Sequence, residues 1–169
     1  IDQKEYRVSV EDNGPGIVST SMPNVFGRLL YGSRFHAVRQ SRGQQGIGIS
    51  ATIMYGQITT GKAATARSKV EGAEAAKEID IIIDTKKNAP VLLREDFIPW
   101  NEKEHGTRVA FYMNGRYVTG KQSVLEYLRQ TAIVNPHASI TFIDPDGRRY
   151  NFERATEQMP PLSKEIKPH

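Results

Sequence analysis

The sequence predicts an α/β (α+β) two-layer sandwich, in which a mixed, largely antiparallel sheet is covered by helices on one face. Short β-rich segments follow one another as hairpins, the clearest of them joined by the tight-turn sequence Asp144-Pro145-Asp146-Gly147. Helical segments stand before and after these strands, so they can cover one side of a common sheet. The chain has 169 residues, 38% hydrophobic and 25% charged, which suits one globular domain with or without a tail.

The composition excludes several kinds of protein and of binding site. No cysteine is present, which excludes disulfides and thiolate metal sites. No apolar run approaches the roughly 20 residues of a membrane span, and no signal-peptide pattern is visible. The net charge of +4 is compatible with binding nucleotide or nucleic acid but requires neither. Because residue 1 is Ile and not Met, and stands just ahead of a predicted strand, we expect the chain to be a piece of a longer protein.

The predicted strands are rich in β-branched residues and are bounded by turn residues. The run Ile79-Asp80-Ile81-Ile82-Ile83-Asp84 indicates a strand that is buried on at least one face. The two acids of the turn before Gly147 could suggest a calcium loop, but the other ligands of such a loop are missing. The predicted strands span residues 6–11, 64–70, 76–85, 91–94, 107–113, 139–143 and 149–152.

Apolar residues at helical spacing predict helices over 22–30, 46–55 and 121–134. In the first, Ser21 is a candidate N-cap and Pro23 is tolerated in the first turn. The second is expected to end at Gly56, and Pro136 stops the third. The polar stretch 31–45 has no apolar period, and a loop of that length inside a compact domain suggests a lid.

Two short motifs lie at strand ends: one follows the predicted first strand, and the other begins a later strand. The first strand ends in Asp12-Asn13-Gly14-Pro15-Gly16, where a carboxylate at a strand end could accept a hydrogen bond from an amino group. An Asp that only caps the turn is the alternative. Gly106-Thr107 begins a later strand, where Thr107 could equally be an ordinary strand residue.

A glycine-rich loop, Gly43-Gln44-Gln45-Gly46-Ile47-Gly48, runs into the second predicted helix. Glycine lets a ligand approach the backbone, and a helix N-terminus offers free N–H groups to an anion such as phosphate. Taken alone, this loop fits a phosphate site and a plain flexible loop equally well. The later sequence 56–63 has the spacing of a P-loop, but Ala63 stands where a magnesium-binding hydroxyl is required, so we reject that interpretation.

Together these three motifs resemble the nucleotide-binding boxes of the GHKL ATPases, whose fold is the Bergerat fold. Asp12-x-Gly14-x-Gly16 resembles the adenine box, the glycine-rich loop resembles the phosphate-lid box, and Gly106-Thr107 resembles the third box. Longer matches over 25–28, 31–34 and 39–50 are similar to the archaeal DNA topoisomerase VI B-subunit family within the GHKL group. The resemblance covers the chain from about Tyr6 to the tail.

The resemblance implies an ATP site. Asp12 would accept the adenine amino hydrogen, the loop glycines would present N–H groups to the phosphates, and Thr107 would support adenine through its hydroxyl. Ser33 and Arg34 match positions that face the nucleotide, although a solvated surface is the alternative for the loop arginines. The implied cofactor-binding residues are Asp12, Asn13, Gly14, Gly16, Ser33, Arg34, Gly43, Gln44, Gln45, Gly46, Ile47, Gly48, Ile49, Ser50 and Thr107.

The chain departs from the family upstream of Asp12. Family members carry there a helix with a Glu that orients the attacking water and an Asn that holds Mg²⁺, and nothing here matches it. The resemblance therefore implies ATP and Mg²⁺ as cofactors but assigns no catalytic residue and no metal ligand to this chain, and the four histidines receive no role. The expected organisation is a partial GHKL ATPase domain over 1–158 and an extended tail over 159–169 that leads to the next domain.

The function that the resemblance implies is ATP binding in the ATPase subunit of a type IIB DNA topoisomerase, in which ATP drives closure of a B-subunit gate during strand passage. The implied partners are the A subunit of topoisomerase VI, a second copy of the B subunit, and duplex DNA, with no membrane, in an intracellular, nucleoid-associated setting. A nucleotide-binding module without hydrolysis remains an alternative. So does the ATPase domain of another GHKL branch, such as mismatch repair.

Overall fold

The structure is a computed structural model that describes residues 3–32, 45–158 and 161. The described residues up to Gly115 form one compact unit, and those from Arg116 to Gln158 form another. The elements in chain order are β1 (Lys4–Asp12), α1 (Met22–Gly27), α2 (Gly48–Thr60), β2 (Ala64–Lys69), β3 (Ala76–Asp84), β4 (Ala89–Ile98), β5 (Gly106–Gly115), α3 (Val124–Val134), β6 (Ile140–Ile143) and β7 (Arg149–Phe152).

The first unit contains a five-stranded sheet in the order β1-β5-β2-β3-β4. Every neighbouring pair is antiparallel, which confirms the predicted α+β class with a largely antiparallel sheet. The first and last strands of the unit are neighbours, and their register runs from Lys4 opposite Gly115 to Asp12 opposite Thr107. The turn that follows β1, residues 12–16, is called the acid turn below. The register brings it next to the Gly-Thr motif that begins β5.

The helices α1 and α2 cover one face of this sheet, as predicted. The predicted isoleucine strand supplies the centre of the core, because Ile79, Ile81 and Ile83 are all at most 2% exposed. Phe26 of α1 and Ile53 of α2 pack against them in the same buried cluster. Burial of each such side chain contributes about 1.5–3 kcal/mol relative to exposure.

The opposite face of the sheet carries a charged network. The Arg94 guanidinium contacts Asp80 at 2.7 Å, Glu78 at 2.6 Å and Asp96 at 2.7 Å. Arg67 pairs with Glu78 at 2.7 Å. The two faces of the sheet therefore differ in polarity: the face under the helices is apolar, and the opposite face carries ion pairs.

Each of the three predicted helices has a boundary that was predicted wrongly. Helix α2 does not end at Gly56 but continues to Thr60 and ends at Gly61, which takes the left-handed conformation with φ 71°. Gly56 is buried inside the helix, where a Cβ would lie 2.6 Å from the carbonyl oxygen of Tyr112. Helix α1 ends at Gly27 rather than at residue 30, because Arg28 is extended and Leu30 has φ 65°.

The second unit contains α3 and the β6–β7 hairpin. Helix α3 begins one turn later than predicted, at a true N-cap, where the Ser123 hydroxyl accepts from the Glu126 N–H at 3.2 Å. In the hairpin, Asp144 Oδ1 accepts from the N–H groups of Asp146 and Arg148, as a turn requires. None of the helices in the described part of the chain has the length and apolar character that a bilayer crossing needs.

Candidate functional site

A cavity of about 650 Å³ lies in the first unit between strands β1 and β5 and the two helices. Most of its wall is apolar, including Val8, Val109 and Phe111 from the strands and Phe26 and Ile49 from the helices. Asp12 is the one charged side chain among the described lining residues. An apolar slot with one carboxylate suits a flat, largely apolar ligand that donates a hydrogen bond.

The carboxylate of Asp12 is held through one oxygen. Its Oδ1 accepts from the backbone N–H of Gly14 at 2.8 Å and from that of Thr107 at 3.2 Å. Within the described residues its Oδ2 has no hydrogen bond. The side chain is thus oriented by the protein while one oxygen remains free to accept a hydrogen bond from a ligand.

The turn after Asp12 is packed tightly against β2. Gly16 has φ 76°, and a Cβ there would lie 2.1 Å from the carbonyl oxygen of Lys69. The next residue, Ile17, donates its N–H to the Ser68 hydroxyl at 2.8 Å. Only glycine fits at position 16, for reasons both of backbone conformation and of space.

The hydroxyl of Ser68 links this turn to Thr107. Ser68 is 2% exposed, and its Oγ donates to the Gly106 carbonyl at 3.0 Å. Because the single hydroxyl hydrogen is used there, the Thr107 hydroxyl at 3.0 Å must be the donor to Ser68 Oγ. The lone pairs of Thr107 Oγ1 are left as acceptors at the cavity wall.

His105 is a second residue that the sequence motifs did not single out. Its Nδ1 lies 2.7 Å from the carbonyl oxygen of Gly14. The only feature of the sequence that could have indicated His105 is its place directly before Gly106-Thr107. No sequence feature indicated Ser68. Both were missed because their contacts come from residues 51 and 91 positions away along the chain.

The glycine-rich loop is described only from Gln45 onward, so Ser33, Arg34, Gly43 and Gln44 lie outside the described residues. Gly46 has φ 65° and its carbonyl accepts from the Leu30 N–H at 3.0 Å. Gly48 opens α2, whose N-cap Ile47 makes no capping side-chain bond. Of the predicted residues in this helix, Ile49 lines the cavity.

Three other predicted residues, Ser50, Asn13 and Gln45, are not among the residues that line the cavity. Ser50 is fully buried, with its hydroxyl 3.3 Å from the Ile47 carbonyl, so its side chain is turned into the protein. Asn13 and Gln45 are exposed. The structure thus brings Asp12, Gly14, Gly16, Ile49 and Thr107 together around one cavity.

The fold and the cavity define an α+β sandwich with a ligand-sized cleft between the sheet and the first turn of α2. No protein-family model matches the chain. The chain is similar to the B subunit of type 2 DNA topoisomerase 6 from Archaeoglobus fulgidus, with 52% identity over 165 residues, covering 97% of this chain and 27% of that protein. The corresponding protein from Methanococcoides burtonii is 52% identical over 170 residues, covering 100% and 27%.

A third relative, the B subunit of type 2 DNA topoisomerase 6 from Halobacterium salinarum, is 43% identical over 169 residues, covering 97% of this chain and 21% of that protein. The chain belongs to the family of type 2 DNA topoisomerase 6 B subunits. It spans about a quarter of the length of the curated relatives it matches.

Proposed function

We propose that the chain is the ATP-binding part of the ATPase subunit of a type IIB DNA topoisomerase. The observation that carries the proposal is the Asp12 carboxylate at the wall of the cavity, with Oδ1 held by two backbone N–H groups and Oδ2 free of hydrogen bonds among the described residues. This arrangement suits the exocyclic amino group of adenine, which donates and cannot accept. A charge-assisted hydrogen bond of this kind is worth about 1.5–3 kcal/mol.

The apolar walls support binding of a purine ring. Val8 and Val109 lie on neighbouring strands, and Phe26 and Ile49 face them from the helices. A ring between these side chains would leave water and bury apolar surface, which favours binding without fixing orientation. Orientation would come from Asp12 and from the acceptor lone pairs of Thr107.

The first turn of α2 supports a phosphate site. No acidic residue lies in that turn, and the N-cap side chain of Ile47 cannot bond the free N–H groups. Gly48 opens the helix, and no atom of the described residues lies within 4 Å of the place where its Cβ would stand. An anion can therefore reach the positive end of the helix, with Gly46 and Gly48 as the nearest backbone.

The phosphates of ATP would bring Mg²⁺ with them, and ATP supplies the free energy of phosphoryl transfer. Among the described residues, no group of three or more His, Asp or Glu side chains could hold a metal ion. We therefore assign no metal ligand and no hydrolytic residue to this chain. The part that its own residues play in the proposal is to bind the base and the phosphates.

In the proposed parent enzyme, nucleotide bound at this site would favour the closed state of a gate that is formed with a second B subunit. Duplex DNA would pass through this gate. The A subunit of topoisomerase VI would cut the duplex. A ligand shifts such an equilibrium only by its different affinities for the two states. The support for this part is the similarity to proteins named as topoisomerase B subunits over almost the whole chain.

The test is a calorimetric titration of the chain with ATP and Mg²⁺, beside the Asp12→Ala variant. We expect the variant to bind about 10- to 150-fold more weakly, the equivalent of one charged hydrogen bond. Asp12→Asn is a poorer choice, because its amide oxygen could still accept from adenine. The matched control is Glu11→Ala, which removes the same charge from the adjacent residue, outside the cavity lining.

Thermal unfolding without ligand should show that each variant stays folded. The proposal fails if the folded wild-type chain does not bind ATP, or if Glu11→Ala weakens binding as much as Asp12→Ala does.

A further inference from the structure

The side chain of His105 bridges the point where β1 and β5 separate. The ladder between these strands ends with Asp12 opposite Thr107. Continued by two residues, the same register would pair Gly14 with His105. The backbones are no longer paired there, and the contact is made instead by the imidazole, with Nδ1 at 2.7 Å from the Gly14 carbonyl oxygen.

The direction of this hydrogen bond follows from the chemistry of the two groups. A carbonyl oxygen can only accept, so Nδ1 carries the hydrogen and donates it. The N–H of the same residue, Gly14, donates to Asp12 Oδ1 at 2.8 Å. Gly14 is therefore held from both sides, by the imidazole through its carbonyl and by the carboxylate through its N–H.

Two residues on either side of Gly106 thus hydrogen-bond to the acid turn. His105 holds the Gly14 carbonyl, and Thr107 donates to Asp12 Oδ1 at 3.2 Å. Between them Gly106 has φ 148°, and a Cβ there would lie 2.3 Å from the Asp12 carbonyl oxygen. Of the two hydrogen bonds, only the one from His105 is donated by a side chain, so substitution of this residue removes the donor without changing the backbone.

We propose that His105 is a positioning residue of the nucleotide site. It does not line the cavity, so it acts through Gly14. The Gly14 carbonyl belongs to the peptide after this residue and the Gly14 N–H to the peptide before it, and the glycine between them has little steric restriction of its own. By anchoring the carbonyl, His105 limits the rotation of Gly14 and so keeps its N–H directed at Asp12 Oδ1, which leaves Asp12 Oδ2 in the orientation that meets the base. This inference rests on the proposed function, because it assigns the contact a role in ATP affinity rather than in folding alone.

Two variants separate the hydrogen bond from the space that the ring fills. In His105→Asn the side-chain nitrogen is bonded to Cγ as Nδ1 is in histidine, so the donor is kept in nearly the same place. In His105→Leu a similar volume is kept and the donor is lost. The matched control is His137→Leu in the second unit.

Calorimetry with ATP and Mg²⁺ should give a dissociation constant about threefold to tenfold higher for His105→Leu, the effect of one ordinary hydrogen bond. His105→Asn and His137→Leu should stay within about twofold of the wild type. Rescue by Asn is the readout that a purely space-filling role would not produce. Equal affinity of the wild type and His105→Leu, or an Asn variant as weak as the Leu variant, would overturn the role of His105 while leaving the ATP site in place.

A measurement on the wild-type protein covers the case in which the Leu variant does not fold. Nitrogen NMR of His105 at alkaline pH should show the hydrogen on Nδ1. A neutral ring with its hydrogen on Nε2 would contradict the proposed donor. Absence of ATP binding by the folded wild type would instead remove the proposed function, and with it this role.

Discussion

Asp12 and Thr107 are the last pair of the β1–β5 ladder, and the backbone N–H of Thr107 donates to Oδ1 of Asp12 at 3.2 Å. Two motifs that lie 95 residues apart along the chain are therefore joined at one end of the β1–β5 pair. The pairing explains why an acid at the end of one strand and a Gly-Thr pair at the start of another occur together. Substitutions in these two motifs, and in the sheet that supports them, should therefore have measurable effects on ligand binding and on stability.

The Thr107 hydroxyl should matter for ATP binding. Thr107→Val keeps the shape but loses both the donor to Ser68 and the acceptor lone pairs at the cavity, whereas Thr107→Ser keeps them. We expect the Val variant to bind ATP about threefold to tenfold more weakly and the Ser variant to bind almost as the wild type does. Titration calorimetry of both variants checks this. Equal binding by both would show that the hydroxyl is an ordinary strand group.

Gly16→Ala should destabilise the protein by more than its backbone conformation explains. An alanine in the left-handed region costs about 1–2 kcal/mol, and here its Cβ would also lie 2.1 Å from the Lys69 carbonyl oxygen. Gly72→Ala is the matched control, because Gly72 has the same φ of 76° and no atom in the described part of the chain lies within 4 Å of its Cβ position. Urea unfolding of both variants measures the difference. If the two lose the same free energy of unfolding, the close contact at Gly16 has no energetic weight.

Gly56→Ala should destabilise the protein although alanine is the better helix former. In an open helix the change would gain about 1 kcal/mol. At this position the new Cβ would lie 2.6 Å from the Tyr112 carbonyl oxygen, and overpacking of this kind costs about 1–3 kcal/mol. Gly48→Ala, at the open start of the same helix, is the comparison, with little or no loss of stability expected. A rise in melting temperature for Gly56→Ala would contradict the packing argument.

The charged face of the sheet should make stability depend on acid. Hydrogen bonds from Arg94 lower the pKa of Asp80 against the opposing effect of burial. For Glu78, burial raises the pKa, but hydrogen bonds from Arg94 and Arg67 outweigh it, so that the pKa is again lowered. Because these carboxyls bind protons more weakly when folded, their contribution is present above the ordinary carboxyl pKa of about 4 and is lost as pH falls below it.

The variant Arg94→Met should therefore show a smaller loss of unfolding free energy on acidification than the wild type. Arg7→Met is its control, since Arg7 lines the same charged face and makes no ion pair with any described residue. Denaturant unfolding at neutral pH and at a series of acidic values measures both slopes. Identical slopes for Arg94→Met and the wild type would mean that these ion pairs do not contribute to the acid dependence.

Much of the fold could be predicted because the relevant signals are local. The isoleucine run of β3 and the turn at Asp144 each depend on neighbouring residues, and the structure places them as a strand and a turn. Asp12 could likewise be named as a candidate site residue from its own five-residue motif, 12–16. Its place at a cavity wall next to Thr107 follows from the β1–β5 register.

The sequence by itself determined the fold class, most strand positions and the residues of the three motifs, because side-chain period and turn chemistry act over a few residues. Only the tertiary structure decided that Gly56 lies inside a helix, against the Tyr112 carbonyl, rather than at its end. It alone also brought Ser68 and His105 to the acid turn. The physical reason is that these contacts depend on strand order and register, which join residues far apart in the chain and leave no local pattern to read.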